Sequence, residues 1–173
     1  MEKLYSQIIG IPVMEYDSRH ALTTVKDVVI DPESGKLVAV VVNSGKNLVI
    51  TPVDILFWTD RIQIHNHDSI INANEVFRIK EIQEKKIFIP HACVFTENGK
   101  SLGKVVDFSI GNKDFLLKKL YVAKVFLGLF SYDNRIIPSK DIVEVLPDKI
   151  VVKNDLQGVK EKVRNEAEEF VAG

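Results

Sequence analysis

The sequence predicts a mostly β protein: two tandem small β-barrels followed by a C-terminal α-helix. Three observations carry this prediction. The chain nearly repeats itself, each copy divides into short β-branched strands between turn-forming clusters, and the last stretch carries an amphipathic helical stripe.

The repeat is found by sliding the chain along itself. A shift of 80 residues lays Asp17–Ile30, DSRHALTTVKDVVI, over Glu97–Ile110, ENGKSLGKVVDFSI, matching Leu22 with Leu102, Val25 with Val105, Asp27 with Asp107 and Ile30 with Ile110. Further on, ITPVDILFWTDRIQIHN parallels IPSKDIVEVLPDKIVVKN, and Pro52 meets Pro138 while Asp54 meets Asp141. The offset grows from 80 to 88, so the second copy holds a longer middle segment. The predicted division is residues 1–71 for the first barrel, 72–86 for a connector, 87–154 for the second barrel and 155–173 for the helix.

Each element has its own justification. VKDVVID alternates along a strand, and KLVAVVV is β-branched and apolar throughout, which suits a strand buried on both faces. DRIQIH and DKIVVK are short alternations that follow acidic turns. The separators DPESG, NSGKN, ENGK, SYDN and LPDK are all turn-formers. In the connector, Val76, Ile79 and Ile82 stand three apart, which fits either a short amphipathic helix capped by Asn74 or an extended crossing. Beyond the second copy, Leu156, Val159, Val163 and Phe170 form one helical stripe, with Asn154 or Asp155 as its cap.

Composition bounds the function. Lys and Arg number 23 against 24 acidic residues, so no basic excess marks a nucleic-acid surface, and an RNA partner is disfavoured by charge. The single cysteine, Cys93, forms no intrachain disulfide, which fits a reducing, cytoplasmic location. The first residues, MEKLYSQIIGIPV, are too short and polar for a signal peptide, and the longest apolar runs, Leu37–Val42 and Val125–Phe130, fall far short of a membrane span.

These motifs carry a family resemblance. GIPV, VKDVVIDPESGKLVAVVV and ITPVDILFWTDRIQI in the first copy, with TENGKSLGKVVDFSI and RIIPSKDIVEVLPDKIVV in the second, resemble the PRC-barrel domain. That small β-barrel occurs in the cytoplasmic part of the photosynthetic reaction-centre H subunit and in a ribosome-maturation factor. The segment FLGLFSYDNRIIPSKDI is similar to sporulation-associated PRC-barrel proteins of Gram-positive bacteria. The first copy departs from the pattern, lacking both the glycines of ENGKSLGKV and any FLGLF equivalent. The resemblance implies a non-catalytic adaptor that docks on other macromolecules.

Asp31 and Gly35 fit a tight turn around Pro32 better than a calcium loop, and Glu33 is absent from the corresponding GNKDF. Asp27 and Asp107, each at a V-x-D strand end, are expected to accept backbone N–H groups rather than to act as a catalytic pair. His65 and His67 have the spacing of half a zinc site on a strand, which His20 or His91 would have to complete; a solvated strand end is the simpler reading. Cys93 reads as a buried small hydrophobe. With no phosphate loop or serine elbow, no catalytic residue, metal site or cofactor is expected.

The expected function is therefore a cytoplasmic protein–protein adaptor with an unknown protein partner, or a homo-oligomer. The candidate contacts are Phe126, Leu127, Leu129 and Phe130, which form either core or an exposed patch, and Phe57 and Trp58, which read as core fill or as an aromatic anchor. The alternatives are an RNA- or ribosome-associated factor, for which Lys113, Lys118, Lys119 and Lys124 are the residues of interest, and a metal-binding enzyme.

Overall fold

Strands form at the β-branched runs, with DPESG, NSGKN, ENGK and the LPD of LPDK between them, while SYDN lies outside the described residues. The computed structural model describes residues 1–126, 129–130 and 135–156. The N-terminal half contains β1 (Glu2–Leu4), a one-turn helix α1 (Tyr5–Ile8), β2 (Pro12–Glu15), β3 (Ala21–Ile30), β4 (Leu37–Val42) and β5 (Leu48–Ile50). It continues with β6 (Ile55–Trp58), β7 (Ile62–Ile64), β8 (Ile71–Asn72) and helix α2 (Phe77–Glu84). The C-terminal half contains β9 (Cys93–Thr96), β10 (Ser101–Gly111), β11 (Leu117–Ala123), β12 (Val125–Phe126) and β13 (Leu129–Phe130), then β14 (Arg135–Pro138), β15 (Ile142–Val145) and β16 (Lys149–Val152). The expected C-terminal helix lies outside the described residues beyond Leu156, whose side chain packs against the core.

Two large sheets result. One runs β6-β7-β2-β3-β4-β5-β8 and the other β14-β11-β10-β9-β16-β15, with β1 added to β10. Read in the same direction, β6-β7-β2-β3-β4-β5 and β15-β16-β9-β10-β11-β14 have one strand order, each with a single parallel pair, β2 with β7 and β9 with β16. Irregularities also coincide. The β3–β4 ladder slips between Val25 and Asp27 and again between Val29 and Ile30; the β10–β11 ladder slips between Val105 and Asp107 and between Ser109 and Ile110. The V-x-D motif is thus a β-bulge inside a long strand rather than a strand end, with Lys26 and Val106 as the extra residues and Asp27 and Asp107 next to them, because β3 and β10 continue beyond it. The longer middle of the second half holds the β12–β13 hairpin.

Two details differ from the sequence reading. Residues 2–4 pair with β10, so the N-terminal strand joins the sheet of the C-terminal half. Pro52 opens its 3-10 turn whereas Pro138 precedes the corresponding one as its cap, so the alignment of the two prolines is one residue out, and Asp54 and Asp141 close the two turns.

The connector contains a helix, but Asn74 does not cap it. Asn72 accepts the Asn74 N–H at 3.0 Å to hold a preceding 3-10 turn, and α2 starts after Val76 with no side-chain cap. Ile79 and Ile82 bury themselves against Val29, Ala39 and Val49, on the opposite side of this sheet from the main core. That explains why β4 is apolar on both faces: Leu37, Val40 and Val42 meet the main core while Ala39 meets α2. Each buried isoleucine contributes about 1.5–3 kcal/mol. The main core runs without a break from Val25, Ile62 and Trp58 to Leu102, Phe108 and Ile150, so the two sheets share one interior. Small barrels of this length bury too little surface alone, and sharing relieves that deficit.

Gly103 shows how tightly the second sheet is built. It sits at φ +124°, and a Cβ there would lie 2.2 Å from the Ala123 carbonyl oxygen on the neighbouring strand. Gly99, at φ +82°, has open space where its Cβ would be. Gly103→Ala is expected to cost at least about 2 kcal/mol by combined clash and strain, against about 1 kcal/mol for Gly99→Ala. Urea unfolding of the two variants side by side checks the ordering.

Candidate docking groove

The hairpin turns of the two sheets are joined back to back. In the β3–β4 turn, Gly35 N–H donates to Asp31 O at 2.8 Å; in the β10–β11 turn, Phe115 N–H donates to Gly111 O at 3.0 Å. Leu37 N–H then donates to Phe115 O at 2.7 Å and Leu117 N–H donates to Gly35 O at 2.8 Å, a reciprocal pair that continues one sheet into the other. Gly35 at φ +67° matches Phe115 at φ +54°. The phenylalanine is strained there, and its ring stacks on Trp58 with centroids 5.8 Å apart. Asn112 Nδ2 donates to the Trp58 carbonyl at 2.9 Å.

Beside this seam, α1 binds both bulges. Asp27 and Asp107 each accept the N–H of the next residue at 2.8 Å. Tyr5 Oη donates to Asp27 Oδ1 at 3.0 Å, and Ser6 donates its N–H and Oγ–H to Asp107 at 3.2 and 2.6 Å. The Tyr5 ring stacks on Phe108 at 4.8 Å. Burial first, then the charges of Asp27 and Asp107, push the Tyr5 phenol up to about 12.

The acidic turn is held by a side chain of its own protein. Arg78, on α2, donates from Nε to Asp31 Oδ2 at 2.9 Å and from Nη2 to Asp31 Oδ1 at 3.0 Å. The same guanidinium reaches Glu33 at 3.2 Å and Glu81 at 2.8 Å. Asp31 Oδ1 also accepts the N–H groups of Glu33 and Ser34 at 2.9 and 3.2 Å. The Arg78 hydrogen bonds, followed by those from the turn backbone, outweigh burial and hold the Asp31 carboxyl below its usual range. A bidentate guanidinium takes the lone pairs that a cation would need.

The turn forms one wall of a groove along the seam. One cavity of about 300 Å³ lies between Pro32, Gly35 and Ile89 on one side and Leu117, Lys140 and Ile142 on the other. A second of about 420 Å³ continues it, between Glu33, Lys85 and Ile87 and the stretch Val143–Pro147. Both cavities are lined by Pro32, Glu33, Val143 and Val145. The floor is aliphatic, while Lys118 at one end is ion-paired to Asp114 and Lys85 at the other to Glu81.

The remaining sequence-derived candidates fall elsewhere. Trp58 is only 4% exposed, so it is core rather than a contact for a partner, because its ring fills the seam against Phe115. Phe57 is 53% exposed and stacks on Tyr16 at 6.2 Å. Phe126, Leu129 and Phe130 pair through their backbones in the β12–β13 hairpin, and Leu127 lies outside the described residues. His65 and His67 do not share a strand face: both follow β7, and His67 begins a 3-10 turn where its N–H donates to Glu15 at 3.0 Å. His91 takes φ +65° where the first half has Gly10 at φ +86°, and both donate to the corresponding valine carbonyl, Val105 and Val25. Among the described residues no three His, Cys, Asp or Glu side chains gather as a metal set. Cys93 is half-buried on β9 rather than buried. Of the lysines of interest for RNA, Lys118 pairs with Asp114 and Lys119 with Glu2. No described helix is long and apolar enough to cross a membrane.

The groove residues Ile87, Ile89 and Val143 were missed by sequence reasoning. A signal existed in IVEV, where three apolar residues in four exceed what one buried strand face requires.

A PRC-barrel domain is found at residues 1–78. The match spans the whole first sheet of the PRC barrel, β2 to β8, together with β1 and α1. A search of curated proteins finds no match to the chain. The PRC-barrel match ends at the start of α2, so Arg78, the clamp on the acidic turn, is its last residue.

Two pH effects follow. Asp31 is lowered in the fold, so its contribution to stability is full above the unfolded aspartate range and is lost as pH falls through the folded value; Arg78→Ala is expected to lower the urea midpoint at pH 7 and to flatten that acid limb. Tyr5 is raised, from 10.0 to about 12, so its contribution is full below pH 10 and is lost as pH rises towards 12. Ultraviolet titration of folded wild type against Tyr5→Phe at pH 11 is expected to show Tyr5 still protonated.

Proposed function

We propose that the chain is a non-catalytic docking module of two tandem PRC barrels, residues 1–71 and 87–154, working as an adaptor in the cytoplasm. The shared strand order and the coincident bulges support the second barrel. One lone half-buried cysteine suits a reducing compartment. The observation that carries the docking reading is the groove at the seam. Its floor is aliphatic, and of the acid and base groups at its rim Asp31, Glu33, Lys85 and Lys118 are bonded within the protein, while Lys140 and Glu144 have no ion pair among the described residues. Such a surface offers shape and apolar area to a partner rather than groups poised for proton transfer.

A photo-crosslinking amino acid tests this. Placed at Val143, which is 50% exposed in the groove, it is expected to trap a discrete protein partner; placed at Val53, which is 89% exposed and outside the groove, it is expected to trap none. The same products from both positions would overturn the docking reading.

A further inference from the structure

We propose that the groove receives an extended peptide segment of a partner protein as an added strand along β15. The proposal rests on the docking reading above and specifies its mode. β15 is the last strand in its sheet, paired only with β16 among the described residues. Ile142, Val143, Glu144 and Val145 all border the groove. Ile142, Val143 and Val145 line one cavity and Val143, Glu144 and Val145 the other, so adjacent residues of β15 border the groove together, as they do where a groove runs along a strand's edge. The edge facing it is therefore the side not used by β16, where backbone N–H and C=O groups can pair with another chain. The β15–β16 ladder bulges between Ile142 and Glu144, leaving Val143 without a partner across that ladder.

The charges give the segment a direction. Lys140 and Glu144, both exposed, stand at opposite ends of the edge, and neither side chain is in an ion pair among the described residues. Their neighbours Glu33, Lys85 and Lys118 are engaged by Arg78, Glu81 and Asp114. The complementary ligand is an extended segment with apolar side chains at alternate positions, an acidic residue towards Lys140 and a basic residue towards Glu144. At ~3.3 Å per residue, five or six residues cover the distance.

The test pans the full chain against phage-displayed random dodecapeptides, then titrates the enriched peptides as synthetic compounds against wild type, Val143→Asp and Glu144→Lys, with folding checked by circular dichroism. The expected peptides carry the alternating apolar pattern with opposite charges at its ends. Glu144→Lys is expected to weaken them on the order of tenfold, with recovery when the peptide's basic residue is made acidic. Backbone N-methylation of alternate peptide residues is expected to abolish binding, and bound peptide to slow amide exchange at Val143–Val145. Peptides lost in Val143→Asp but indifferent to N-methylation would overturn strand addition and leave the docking groove standing. The absence of any peptide weakened by Val143→Asp would overturn both. Self-association of the chain that Glu144→Lys disrupts would make a second copy the occupant and overturn the peptide proposal.

Discussion

The structure depends on a two-way exchange of backbone hydrogen bonds between hairpin turns. Leu37 and Leu117 each donate to the opposite turn, at Phe115 and Gly35. This pairing joins the two sheets at the hairpin ends of β3–β4 and β10–β11, and the sheets share a single core. It also demands a left-handed residue in each turn just before the exchange, met by Gly35 in one and by Phe115 in the other. The strain at Phe115 is offset by a ring contact with Trp58 across the seam, so the exception also helps to bind the halves.

Around this near-symmetric frame, the asymmetric elements carry the specialisation. Helix α1 occurs once, yet it answers both bulge carboxylates, Asp27 through Tyr5 and Asp107 through Ser6. Helix α2 covers the outer face of the first sheet, and its Arg78 reaches the acidic turn. The strand positions matching the face beneath α2 hold Ser109 and Lys119 in the second sheet, both engaged by Glu2 of β1. One sheet face is thus finished by apolar packing and the other by polar contacts with the N-terminal strand. The groove lies where these differently finished halves meet, beside β15, which pairs only with β16 among the described residues.

Much of the fold was legible because strand patterns and turn chemistry are local. VKDVVID and KLVAVVV became β3 and β4, and the double-faced apolarity of the latter anticipated a covering element without naming α2. The V-x-D repeat marked a real structural unit, a bulge, although only the ladder register reveals it as one. The site was less legible. The acidic turn drew attention as possible ligands, but its partner Arg78 lies 47 residues away, a separation that no local pattern encodes. Val143 became a groove residue only because β15 ends its sheet.

The sequence by itself determined the β class, the short strands, the repeated motifs and the turns, since each follows from side-chain periodicity and backbone preference within a few residues. Tertiary structure alone decided that Trp58 is core while Phe57 is exposed, that His91 stands in a glycine's place, and that Asp31 binds an arginine. It also decided that β15 ends its sheet among the described residues and borders the groove, because pairing between distant segments settles which strands have two neighbours.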